Sequence, residues 1–216
     1  MPSMGLEILG VALAFLGWIF AIASCVLPMW KVTAFIQSNI ITTETSWEGI
    51  WMECRTQSTG YMVCKVHYSM LDLSPELQAA RALTILSILL GTVGLFTAFV
   101  GAKCTNCVDE KATKAQVMIV AGVNFILASL SQMIPVSWFA HNIMMDFHNS
   151  TGLGEKKDFG AALYLGWAAA AFFLMGGAIL LCSRPQKPQK KYGPPSTVYA
   201  QPKSVIPSDY DRKDYV

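Results

Sequence analysis

Four stretches of the chain, residues 6–29, 82–102, 117–140 and 159–182, are strongly apolar and hold no Lys or Arg. Each is long enough to cross a hydrocarbon core, which takes about 20 helical residues. One such run fits a buried helix of a soluble domain; four within 216 residues predict a polytopic membrane protein. The polar segments are then residues 1–5, 30–81, 103–116, 141–158 and 183–216. The first run ends near a cleavage-like Ala21-Ile22-Ala23. No basic residue precedes it, and its apolar core exceeds that of a signal peptide, so it is expected to remain as the first helix.

Within 30–81, residues 31–36, 40–43 and 61–66 are rich in β-branched and aromatic side chains, with a turn at Gln57-Ser58-Thr59-Gly60. Three or four short antiparallel strands are expected. A brief helical turn follows at 70–73, and Pro75 suits the first turn of the second membrane helix. Arg81 is expected at the outer interface with its head snorkelling to water. The fold class is a membrane all-α four-helix bundle carrying a small extracellular antiparallel β-sheet.

Composition agrees: 53% of residues are hydrophobic and 14% charged, against about 25% charged in soluble domains. Orientation follows from two independent signs. Cys54 and Cys64, in a tryptophan-flanked segment, read as a disulfide stapling a hairpin, which needs an oxidising, outward-facing compartment. A staple over so short a loop is worth about 3 kcal/mol on the loop-entropy model. The positive-inside rule points the same way. With a cytosolic N-terminus, the inner segments hold ten cations: Lys103, Lys111, Lys114, Arg184, Lys187, Lys190, Lys191, Lys203, Arg212 and Lys213. The outer segments hold six: Lys31, Arg55, Lys65, Arg81, Lys156 and Lys157.

Cys104, Cys107 and Cys182 then fall at the cytosolic boundary, where acylation is the expected modification. A zinc site wants four ligands, and the Cys104/Cys107 pair lacks companions. Cys25, inside the first run, reads as a packing residue. Small residues (Gly10, Ala14, Gly17, Gly91, Gly94, Ala121, Gly122, Gly166, Gly176, Gly177) mark close helix contacts. Asn124, Ser129, Ser131 and Gln132 are expected to hydrogen-bond between helices, and Pro135 to bend the third helix. Asn149-Ser150-Thr151 is an N-glycosylation sequon on the outer side. The Pro-rich segment after Cys182 lacks the surface for a core, and its Asp214-Tyr215-Val216 terminus suits a PDZ groove. His67, His141 and His148 are scattered without a nucleophile, so neither an enzyme nor a cofactor or metal is expected, nor a nucleic-acid partner.

One combination of residues is far more specific. Trp30, Gly49-Ile50-Trp51, Cys54 and Cys64 resemble the signature of the claudins, the four-helix proteins of tight junctions. Gln78-Ala79-Ala80-Arg81-Ala82-Leu83, Pro135-Val136-Ser137-Trp138, Leu163-Tyr164-Leu165-Gly166-Trp167 and the terminal Tyr215-Val216 extend the likeness over residues 1 to about 184 plus the last two. The resemblance implies a left-handed bundle under five strands, the fifth from the second outer loop. It implies molecules that polymerise in cis and meet in trans, bind PDZ scaffolds of the zonula occludens type, and seal the paracellular space at the plasma membrane. It also implies that Met70 inserts against the Phe147 region of a neighbour, and that Lys65, with Arg55 and Lys31, tunes charge selectivity. Where many claudins carry Phe-Tyr-Asn-Pro, this chain has Phe147-His148-Asn149-Ser150, a change that bears on trans-adhesion. The alternatives are a charge-selective paracellular channel and an auxiliary subunit of another membrane channel.

Overall fold

In lipid every backbone N–H and C=O must be satisfied internally, so the apolar runs fold as helices. The computed structural model describes residues 4–35, 44–57, 59–68, 74–101, 111–149 and 155–183. Its helices α1 (Met4–Val26), α2 (Pro75–Gly101), α3 (Lys111–Asn149) and α4 (Ala161–Cys182) are each long and apolar enough to cross a membrane. α1 packs on α4, α4 on α3, α3 on α2 and α2 on α1, which closes a four-helix bundle.

Lipid offers little hydrophobic drive for this packing, so close approach and interhelical hydrogen bonds supply it. A Cβ at Gly176 would lie 2.7 Å from the Gly10 carbonyl oxygen, and one at Gly177 2.8 Å from that of Gly122. Those pairs bring α4 backbone to backbone with α1 and α3. At least one side-chain bond crosses each of these helix pairs. Ser24 Oγ donates to Ala162 O (2.8 Å), Ser129 Oγ to Ala170 O (2.8 Å), Ser87 Oγ to Ala128 O (2.8 Å) and Trp18 Nε1 to Thr92 Oγ1 (3.0 Å). Each is worth roughly 0.6 kcal/mol by the average measured in a membrane bundle. Between them Phe125 and Phe173 stack, 6.1 Å apart, in the core.

The outer sheet has five strands in the order β4-β3-β2-β1-β5: β1 (Lys31–Phe35), β2 (Glu44–Glu48), β3 (Met52–Thr56), β4 (Met62–Val66) and β5 (Glu155–Phe159). All pairings are antiparallel. β5 comes from the second outer segment and pairs with β1, as the family resemblance implied. The strand expected at 40–43 and the helical turn expected at 70–73 lie outside the described residues; β2 begins at Glu44.

α3 departs most from the hydropathy pattern. It spans 39 residues and runs through Pro135 to Asn149, about 58 Å at 1.5 Å per residue. The first part of the second outer segment is therefore a helical continuation of α3 rather than a loop. Ser129 bonds to α4 as expected. Gln132 does not: it is fully buried, and both its amide atoms lack a hydrogen-bond partner among the described residues.

Removing an unpaired buried amide recovers about 1–3 kcal/mol. Gln132→Leu is therefore expected to raise the thermal unfolding midpoint of detergent-solubilised protein. A lowered midpoint would show that the amide is satisfied in the membrane.

Candidate functional site

Five-residue strands have no core of their own, so the sheet must borrow one from the helices beneath. The junctions on either side of β1 and β2 provide it. Trp30, immediately before β1, is fully buried. Its Nε1–H donates to Ser24 O at 2.8 Å, and its ring meets Phe139 edge-on at 5.4 Å. Its backbone N–H donates to Glu48 O (2.9 Å) and its carbonyl accepts from Gly160 N–H (3.1 Å). Gly49-Ile50-Trp51 forms the tight link between β2 and β3. Ile50 is fully buried, and Trp51 Nε1 donates to Cys25 Sγ at 3.4 Å. A Cβ at Gly49 would run into the Pro28 backbone, and one at Gly160 into the Met29 carbonyl. Only glycine lets the sheet sit this low.

Arg81 closes the clamp from α2, and its position corrects the sequence expectation. It does not snorkel to water. Only 2% of it is exposed; its Nε donates to Ile50 O at 2.6 Å, and its guanidinium lies 4.6 Å from the Trp51 ring centroid. The snorkelling rule assumes that water is the nearest polar partner. Here the link between β2 and β3 covers the helix end and offers a carbonyl and a π face instead.

The Cys54–Cys64 disulfide joins directly paired residues of β3 and β4. The turn between these strands places Gly60 at φ 81°, with Gly60 N–H donating to Gln57 O at 2.9 Å. Directly paired residues share a face of an antiparallel sheet. The register Lys31↔Glu48, Glu48↔Glu53 and Glu53↔Lys65 therefore lines up a charged row across four strands. Thr33, Ser46 and Arg55 follow on the same face one row on, while Val32, Trp47, Cys54 and Cys64 form the opposite one.

Lys31, Arg55 and Lys65, the cations that the resemblance assigned to charge selectivity, are thus brought to one face, in different states. Lys31 is 16% exposed and lies 3.5 Å from Glu48 and 3.8 Å from Asp146. Asp146, on the outer end of α3, also holds Lys157 of β5 at 3.3 Å. Arg55 is paired with Glu53 at 2.7 Å. Lys65 is exposed on the edge strand β4 and has no ion-pair partner among the described residues. Phe147 and His148 are exposed at the outer end of α3, in mutual ring contact at 6.4 Å. Asn149 is the last residue of α3. Cys182 ends α4 as an exposed free thiol. Met70, Cys104, Cys107, Asp214, Tyr215 and Val216 lie outside the described residues. Sequence reasoning missed the parts played by Ser24, Gly160 and Asp146. A lone serine or glycine in an apolar stretch gives no sign of the backbone that will approach it.

Residues 4–180 match the model of the PMP-22/EMP/MP20/Claudin family. The chain is 56% identical to claudin-3 of Canis lupus familiaris over 99% of its own length and all of that protein. It is 54% identical to claudin-3 of Homo sapiens over the same shares. Against claudin-4 of Bos taurus it is 53% identical over 97% of this chain and all of the relative.

Arg81→Met should loosen the sheet from the bundle, since a hydrogen bond from a charged group contributes about 1.5–3 kcal/mol. A lower thermal midpoint and reduced surface delivery are expected. Arg81→Lys should not restore them, because lysine lacks the planar fork. A wild-type midpoint for Arg81→Met would show that the clamp is dispensable.

Proposed function

The chain belongs to the PMP-22/EMP/MP20/Claudin family, and from that membership we infer that it is a structural component of tight-junction strands, sealing the paracellular space and setting its ion permeability. The observation that carries this reading onto particular residues is the charged row Lys31–Glu48–Glu53–Lys65, set on a sheet clamped above four membrane helices. Such a platform is built to meet other proteins and solutes outside the cell.

Both termini are cytosolic in this reading, which is supported by the even number of membrane-length helices, by the need of a disulfide for an oxidising compartment and by the bias of Lys and Arg. The partners are other claudin molecules, side by side in one membrane and head to head across two, through surfaces that include Met70, Phe147 and His148. Asp214-Tyr215-Val216 docks into PDZ scaffolds of the zonula occludens type by strand addition and carboxylate capping. Cys104, Cys107 and Cys182 are acylation sites at the inner leaflet, and Asn149 is the acceptor of the outer sequon.

Lys65 places a cation at the exposed end of the charged row, so the face disfavours cation passage. The same row favours a second reading, a charge-selective paracellular channel with these residues along its wall. Dilution potentials across epithelial monolayers expressing the chain test both. Lys65→Asp is expected to raise the Na⁺/Cl⁻ permeability ratio, and an unchanged ratio would remove this face from the permeation path. Deleting Val216 is expected to abolish capture of the tail by immobilised PDZ domains; retained capture would place the scaffold site elsewhere.

A further inference from the structure

Glu53 sits in the middle of the charged row, and its surroundings differ from those of its neighbours. Residues 53 and 55 of β3 are two apart and so share a face. Arg55 Nε donates to Glu53 Oε1 at 2.7 Å, and Ser46 Oγ of β2 donates to the same oxygen at 3.3 Å. Ser46 is buried, so this second donor holds the carboxylate from beneath the surface. The side chain of Arg55 is 69% exposed and that of Glu53 18% exposed. The guanidinium therefore stands outside an acid anchored below it. The cross-strand neighbours of Glu53 are Glu48, which lies 3.5 Å from Lys31, and Lys65.

We propose that Glu53 is a selectivity-determining acid of this face that Arg55 masks by direct contact, so that Arg55 acts by covering a carboxylate rather than by presenting a cation. The inference rests on the reading that this face borders the paracellular path. A permeating ion within a Debye length of about 8 Å senses the local sum of charge. With Arg55 in place, that sum around Glu53 is close to neutral and Lys65 dominates the exposed edge. Without Arg55, the carboxylate of Glu53 is uncovered beside Glu48, and the row of two acids and two lysines falls from a net positive to a neutral sum, so it repels cations less.

Dilution potentials in monolayers expressing wild type, Arg55→Gln, Glu53→Gln and the double variant test this, with surface biotinylation to match delivery. Arg55→Gln is expected to raise the Na⁺/Cl⁻ permeability ratio by about twofold, as one screened unit charge can. Glu53→Gln alone should lower it, and the double variant should return to the wild-type ratio. Arg55→Ala substitutes where the glutamine variant is not delivered. An unchanged ratio for Arg55→Gln overturns the proposal, as does a shift that persists in the double variant, since Glu53 would then be invisible to the ion. Lys65→Asp in parallel separates the two levels. If it shifts the ratio while Arg55→Gln does not, the masking fails and the face still lines the path. If neither shifts it, the reading of the face fails and the masking with it.

Discussion

The position of the sheet depends on one contact, the Arg81 guanidinium held between the Ile50 carbonyl and the Trp51 ring. A buried cation without partners would cost several kcal/mol, so α2 can keep Arg81 at 2% exposure only while the link between β2 and β3 covers it. The dependence runs both ways. That link has Ile50 fully buried and Gly49 against the Pro28 backbone, a position it can hold only with the helix ends beneath it. Trp30 repeats the arrangement at the start of β1 through Ser24, and Ser24 in turn bonds α4 at Ala162. Sheet and bundle are joined by groups that each would leave unsatisfied alone.

Ion pairs act differently here. Asp146 lies between Lys31 of β1 and Lys157 of β5, but it is 49% exposed. Pairs so open to water contribute roughly 0–1 kcal/mol each. They fix where α3 meets the sheet more than they hold the protein together. α3 can reach that far because it continues as a helix to Asn149, well beyond the last residues that a bilayer core needs. The same extension carries Phe147 and His148 out to the level of the sheet, so both outer segments contribute to one surface.

Much of this organisation was legible in the chain. Charge-free runs of membrane length gave four helices, since lipid permits few alternatives. Cys54 and Cys64 around a Gly60 turn gave the hairpin, and the tryptophan and glycine signature gave the family. Less legible was everything set by a second segment. Arg81 read as a snorkelling residue because its own neighbours are apolar and nothing local shows that a turn 31 residues away will cover it. The full length of α3 was not legible because hydropathy marks only the apolar run 117–140, and helical hydrogen bonding continues beyond it to Asn149. Gln132 read as a helix-bridging amide, yet its partners depend on rotamers and on the spacing between α3 and α4.

Sequence alone determined the number of membrane-length helices, the Cys54–Cys64 pairing and the kinship, because these follow from composition and from residues close together in the chain. Tertiary structure alone decided that Lys31, Glu48, Glu53 and Lys65 form one row, and that Lys31 and Arg55 are already paired while Lys65 has no ion-pair partner among the described residues. The physical reason is register. A slip of one residue in any strand would turn its charges to the opposite face, and register is held by the clamp at Trp30, Gly49 and Arg81 and by the Cys54–Cys64 bridge.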